Sequence, residues 1–390
     1  MFVSTINDYY DIVIIGAGPA GLNAGMHLIG SNAKVLLVDK TIPWEKPIPC
    51  AEGVGRLGFH EALEVRQSWI RQEIWAACYH APDGSAVNYT DKNGGYIINR
   101  NLLQQDLAET IADSGIDCAF NFQVSSISNC VNGNRTIHFS NKRSISAKVI
   151  IDASGPIEGF GKGEDIVCKP QDLEPAYFVW AENIEIELDR VHIYTGSQIA
   201  PGGYAWVFPR GNGAANIGVV IGKKFVKNTN IRALLDTFLK SNFPNTKVIQ
   251  RYAGSIPCHF KKGPLAVEGL IKAGDSASTI NPISRAGISE ALLCGKLASN
   301  CAMDMLKAQH SWEVSRAIKK YEKSWEKHRG NRHTKLSKVK NSMYSVPDRD
   351  YNEAAKTLAN IPQNELTMTK IFRASLGRFP RLVWAMRHLM

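Results

Sequence analysis

Three glycines and one aspartate carry the first chemistry this chain offers. Gly16-Ala17-Gly18-Pro19-Ala20-Gly21 follows the apolar run Ile12-Val13-Ile14-Ile15 without a break, and Asp39 closes the next apolar run, 18 residues beyond Gly21. Gly16 permits a tight exit from a strand, Gly18 lacks a Cβ where a pyrophosphate must approach, and Gly21 lets the following helix pack close. The start of that helix presents unpaired amides and a partial positive charge to phosphates. An acid at the end of the second strand accepts hydrogen bonds from ribose hydroxyls. Strand, glycines, helix and acid in this order predict a dinucleotide site, with Ala20 in its turn and Lys40 beside its acid.

These residues need a frame, and the rest of the chain supplies one. After a strand–helix–strand start, residues 76 to 99 change character. Tyr79, Tyr89 and Tyr96 stand among the turn residues Pro82-Asp83-Gly84 and Asn93-Gly94-Gly95, which predicts short antiparallel strands. A helix is expected over Asn101 to Ala112, then a buried strand through Val149-Ile150-Ile151 ending at Ser154-Gly155. From 156 to 264 the pattern is mostly strand-like, with a helix near Ile231 to Lys240. Leu270 to Asp275 then returns to the nucleotide pattern and leads into a long helix, Ile288 to Ala302. The expected organisation is a nucleotide domain of residues 1–75, 100–155 and 265–310, interrupted by a second domain of residues 76–99 and 156–264. A C-terminal helical region follows, 311–390.

Composition bounds the class. With 390 residues, 44% hydrophobic, the chain can bury a large core. No run approaches the roughly 18 apolar residues that span a bilayer. The first apolar segment is preceded by Asp8 and Asp11 rather than by basic residues, so no signal peptide is expected. Eight cysteines show no CxxC pair, which argues against a disulfide framework or a zinc site and predicts no metal. The net charge of +10 points to an anionic partner. With no nucleic-acid module in view, that partner is expected to be a lipid surface, and the location cytoplasmic or peripheral to the membrane.

Three segments together, Gly16 to Gly21, Asp152-Ala153-Ser154-Gly155 and Gly274-Asp275-Ser276-Ala277, resemble FAD-dependent oxidoreductases of the hydroxylase-like, or glutathione-reductase-like, superfamily. The resemblance implies an α/β fold, a Rossmann-like FAD-binding domain interrupted by an antiparallel-sheet substrate domain as in p-hydroxybenzoate hydroxylase. It gives Asp275 the role of bonding the ribityl chain and makes Arg100 a flavin-side residue at a helix start. Within that superfamily, Pro201-Gly202-Gly203-Tyr204-Ala205-Trp206-Val207-Phe208-Pro209 is similar to the PxxYxWxFP pattern of geranylgeranyl reductases. Pro49-Cys50-Ala51-Glu52-Gly53-Val54-Gly55 and Asn281-Pro282-Ile283-Ser284-Arg285-Ala286-Gly287-Ile288 resemble two further segments of the same family. Cys50, Ala51, Gly155, Gly287 and Ile288 are thereby expected at the cofactor. In place of the glycines usual after Asn-Pro, this chain has Ser284 and Arg285. Arg285 either reshapes the site and adds a positive charge near the flavin, or points to solvent.

The resemblance implies reduction of isolated double bonds in the geranylgeranyl chains of a membrane lipid or prenyl diphosphate, by hydride from reduced flavin and a proton from the protein. Such bonds accept hydride poorly without a proton, so the protein must supply orientation, dryness and an acid. An ordinary thiol, of pKa about 8.5, is protonated at neutral pH, which nominates Cys50 as acid or as a contact that sets the flavin. Tyr204, Trp206 and Phe208 alternate along a strand and share one face, suited to an apolar slot, and the Tyr204 hydroxyl is a second proton candidate. An electron donor such as ferredoxin or a nicotinamide is implied. Lys319, Lys323, Trp325, Arg329 and neighbours, and the basic aromatic segment from Ile371 to Met390, are expected to meet an anionic membrane. The competing readings are a monooxygenase of an aromatic or polyene substrate and a non-catalytic prenyl-binding escort.

Overall fold

The computed structural model describes residues 2–167, 172–258, 263–344, 346–361 and 366. The chain opens with β1 (Tyr9–Ile15), α1 (Pro19–Met26), β2 (Val35–Asp39), β3 (Gly53–Gly55) and α2 (Arg56–Ala62). There follow β4 (Ile70–His80), β5 (Ala86–Ile98), α3 (Arg100–Asp113), β6 (Asp117–Phe120), β7 (Val124–Ile127), β8 (Arg135–Phe139) and β9 (Ser144–Asp152). The middle of the chain adds β10 (Leu173–Glu182), β11 (Arg190–Tyr194), β12 (Tyr204–Gly211), β13 (Ala214–Val220), α4 (Ile231–Asn242) and β14 (Lys247–Pro257). It closes with β15 (Ala266–Val267), β16 (Leu270–Lys272), α5 (Ile288–Lys307), α6 (Ser311–Trp325), α7 (Asn331–Met343) and α8 (Asp348–Ala359).

Two eight-stranded sheets result. The first runs β15-β16-β9-β1-β2-β6, with β8 on β9 and β7 on β8. Its centre is parallel, and the unbroken apolar runs of β1 and β2 are what a strand covered on both faces requires. The second runs β14-β10-β13-β12-β11-β4-β5-β3. It is antiparallel except where β11 lies parallel to β4. That sheet begins at Gly53 and includes all of β4, earlier than the change of composition at residue 76, because the short β3 pairs with β5 before the aromatic stretch begins.

Close packing explains the glycines of the first turn. Gly16 has φ +108°, and a Cβ there would stand 2.3 Å from the Ala153 carbonyl oxygen. At Gly21 a Cβ would lie 1.9 Å from the Gly16 oxygen, so Gly21 serves helix packing. Gly295 of α5 likewise sits on the Ala20 carbonyl, and Asn23 donates to the Leu292 oxygen at 2.7 Å, locking α1 to α5. On the outer side, Ala317, Tyr321 and Trp325 of α6 are buried at a spacing of four, the apolar stripe of an amphipathic helix.

That stripe corrects part of the expected membrane face. Trp325 is buried, not presented to lipid, and Arg329 is held by Glu290 at 2.7 Å and by Glu61. The exposed face of α6 instead carries Trp312, Arg316, Lys319, Lys320 and Lys323. The segment from Ile371 to Met390 and Cys168 lie outside the described residues. No described helix is long and apolar enough to cross a membrane.

Candidate active site

One cavity of about 790 Å³ opens between the two sheets. Gly16, Gly18, Ala20, Asp39, Lys40, Arg100, Gly155, Asp275, Gly287 and Ile288 line it from the first sheet and its helices. Cys50, Ala51, Tyr204, Trp206 and Phe208 line it from the other side. Of the cofactor, catalytic and substrate candidates read from the sequence, all but Gly21 line the cavity.

The nucleotide wall has the features a dinucleotide needs. No side chain caps α1 at Gly18, which leaves its first amides free for phosphate. Cβ atoms added at Gly18 or Gly155 would meet nothing within 4 Å, so backbone there faces open space. Asp39 is held in place by the Ala17 amide at 2.8 Å and the Thr41 amide at 2.9 Å. Arg100 opens α3 and is braced by Gln104 at 3.0 Å, while Gln104 donates to the Ala17 oxygen. Asp275 sits on the short turn Gly274–Ala277, and burial pushes its carboxyl up to about 6 against the pull of Arg100. Uncapped amides, open glycine backbone and acids on the cavity wall, Asp39 and Asp275, fit FAD.

The opposite wall is aromatic. Trp206 and Phe208 stand 6.4 Å apart between ring centres, Tyr204 and Trp206 6.3 Å. Phe178, from β10, extends the row to Tyr252, with centres 4.9 Å apart. Gly218 of β13 makes room, since a Cβ there would lie 2.3 Å from Trp206 and 2.4 Å from Phe178.

Cys50 lies where the walls meet, half-buried. Its Sγ accepts from the Glu52 amide at 3.3 Å, and its carbonyl accepts from Asn216 Nδ2 at 2.8 Å. Asn216 Oδ1 accepts from Trp206 Nε1 at 2.9 Å, so one fully buried amide couples the Cys50 loop to the aromatic row. Next to Cys50, Glu52 is buried at φ +67° and held by Arg210 at 2.7 Å. Burial raises its carboxyl above the usual range despite Arg210, Arg71 and Arg100.

Tyr204 has a different task from Cys50. Burial pushes its hydroxyl up to about 12, and the proton is donated to the Ser284 oxygen at 2.6 Å. The hydroxyl therefore ties β12 to the 281–287 loop. In that loop Arg285 keeps φ +59°, and its side chain is 7% exposed rather than turned out to solvent. Its guanidinium lies 2.6 Å from Glu174 and 4.9 Å from the Tyr204 ring centre. Glu174 is also bound by Lys340 at 2.8 Å and by the Tyr344 hydroxyl. Burial alone would raise that carboxyl, yet Arg285 and Lys340 hold it below the usual range. Arg285 thus lines the cavity with its charge paired to Glu174.

Asn216, Glu52, Arg210 and Glu174 are not legible as site residues from the chain. The one signal is a polar residue in an apolar strand, as Asn216 is within Ala214–Val220.

Comparison with known proteins now becomes informative. Residues 172–256 match the family model of the geranylgeranyl reductase catalytic domain, and residues 11–170 match that of the lycopene cyclase protein. The chain is 28% identical to digeranylgeranylglycerophospholipid reductase 1 of Methanococcoides burtonii, over 98% of its own length and 96% of that protein's. It is 29% identical to the digeranylgeranylglycerophospholipid reductase of Methanoculleus marisnigri, over 97% and 98%. A geranylgeranyl bacteriochlorophyll reductase-like structure from Thermoplasma acidophilum superposes with a TM-score of 0.87 at 24% identity, covering 98% of this chain and 100% of that one. A myxobacterial chondrochloren halogenase, described as a variant of FAD-dependent halogenases, superposes at 0.68 with 15% identity, over 98% of each chain. These two likenesses show a shared fold.

Proposed function

We propose that this chain, a geranylgeranyl reductase-like FAD-dependent oxidoreductase, saturates isolated double bonds in the geranylgeranyl chains of a glycerophospholipid. Bound and reduced, FAD would supply the hydride. The observation that carries the reading is the position of Cys50, at the seam between a wall fitted for a dinucleotide and a wall of aromatic rings. Both relatives described above are named for this lipid class, which favours it over a free prenyl diphosphate.

The chain's own residues divide the work. The uncapped α1 terminus and Gly18 would hold the pyrophosphate, Asp39 the ribose, Asp275 the ribityl chain, and Arg100 would stand on the flavin side. Trp206, Phe208 and Phe178 bury the prenyl chain and exclude water, which keeps the transferred proton from exchanging with solvent. Cys50 Sγ gives that proton to the alkene; the Glu52 amide on the sulfur and Asn216 on the Cys50 carbonyl support the role by anchoring the loop. Electrons arrive from a ferredoxin or a nicotinamide. The exposed basic face of α6, with Trp312 at its edge, rests on anionic headgroups and brings the cavity to the lipid.

The test is anaerobic. Protein, FAD, dithionite and a digeranylgeranyl glycerophospholipid are incubated and product masses recorded. Gains in two-hydrogen steps are expected. No gain with FAD bound and reduced overturns the reading, and oxygen uptake coupled to nicotinamide oxidation would replace it with a monooxygenase.

A further inference from the structure

The face of the second sheet turned away from the cavity carries a separate constellation. In the parallel register of β4 and β11, Cys78 stands opposite His192 and His80 opposite Tyr194. Cys78, His80 and His192 are not among the cavity's lining residues, and the shared register with alternation puts the three together on one face. One sulfur and two ring nitrogens of these residues all lie within 4.8 Å of one another. His80 Nε2 and His192 Nδ1 are 3.1 Å apart. The edge of a tetrahedron with metal–nitrogen bonds of the usual length is about 3.3 Å.

We propose that Cys78, His80 and His192 form a binding site for a borderline-soft divalent transition-metal cation of the zinc class, with water in the fourth position. Three further observations support it. The second nitrogen of His192, Nε2, is buried without a hydrogen-bond partner and lies 3.5 Å from Glu187 Oε2. That is the place of the outer carboxylate that orients a metal-bound histidine. The His80 ring is fixed by stacking on Tyr194, centres 4.0 Å apart and planes at 5°.

Two features oppose a cation and are outweighed. Burial raises the Cys78 thiol, but metal binding releases its proton to solvent and the thiolate takes the bond. Arg190 is close to Cys78, but its guanidinium is held by Asp189 at 3.1 Å and Asn88 at 3.0 Å. The metal would clip together the one parallel strand pair of this sheet, whose partners are more than a hundred residues apart in sequence. The role is structural, and no electron transfer is assigned to it.

The experiment uses the FAD-loaded protein after chelator dialysis, titrated with Co²⁺. One equivalent is expected, with tetrahedral absorption to the red of the flavin bands and a thiolate charge-transfer band. Zn²⁺ should displace it and raise the melting temperature. Cys78→Ser should abolish the charge-transfer band, and Glu187→Gln, at an exposed residue, should weaken binding about 10-fold. X-ray absorption at the zinc edge of the unmodified protein covers the case in which Cys78→Ser does not fold. One sulfur at about 2.3 Å with nitrogen neighbours supports the site. No stoichiometric binding, or a shell without sulfur, overturns it.

Discussion

Beside α1, Gly18 and Gly155 leave open space where a Cβ would stand, whereas on the second sheet the space above Gly218 is already filled by Trp206 and Phe178. Glycine serves opposite ends on the two walls. On the first it exposes backbone so that a charged ligand can come to the amides. On the second it lets large rings sink into the sheet, so the wall is built of packed side chains before any ligand arrives. The first wall therefore depends on local backbone, and its loss is felt in binding. The second depends on register and on the buried charges behind it, and its loss is felt in stability and turnover.

The seam between the walls gives the largest effect. Cys50→Ala should lower double-bond reduction by about 10²–10⁴-fold, the range for losing a positioned acid, with FAD still bound. Full activity by product mass would remove the thiol from the reaction. Arg285→Gly comes next. Glycine accepts the φ of +59° more readily than arginine, yet the change leaves buried Glu174 short of a partner. A loss of about 3 kcal/mol is expected, the low end for a broken buried pair because Lys340 and Tyr344 remain. Unchanged denaturant midpoints would show that the second wall does not rest on this cluster.

Gly18→Ala sharpens the contrast. The added methyl meets nothing and φ is an ordinary −78°, so stability should stay within about 0.5 kcal/mol. FAD affinity should fall about tenfold, 1.4 kcal/mol, by flavin fluorescence titration. A folding defect instead would place this wall in the same class as the other. The smallest effect is a pH dependence. Asp275, raised to about 6, is ionised above that pH and accepts hydroxyl hydrogen bonds best there. FAD affinity should weaken a few-fold as pH falls through 6, about half a log unit. Its contribution to the stability of the FAD-free protein runs the other way, since a raised carboxyl favours folding as pH falls from 6 toward its unfolded value. Asp275→Asn should flatten both profiles.

The nucleotide turn was legible because its physics is local. Gly16 at +108°, Gly21 on the Gly16 carbonyl and Asp39 on the Ala17 amide are consequences of one strand–turn–helix unit, and spacing alone reports them. The aromatic row on β12 was legible for the same reason, since alternation places Tyr204, Trp206 and Phe208 on one face wherever the strand lies. The α6 face was read only in part. Charge showed that the helix is basic, but the choice of which aromatic turns inward belongs to α5, and it took Trp325 rather than Trp312.

What the sequence alone determined about this protein is its dinucleotide-type fold, a resemblance to reductases, and the residues of one turn, one strand and one loop. Tertiary structure decided the rest, because it depends on pairs distant in the chain. Register set Cys78 against His192, β13 carried Asn216 between Cys50 and Trp206, and packing joined Arg285 to Glu174 across 111 positions. Spacing in sequence cannot report such contacts, since the geometry that makes them exists only once both sheets have formed.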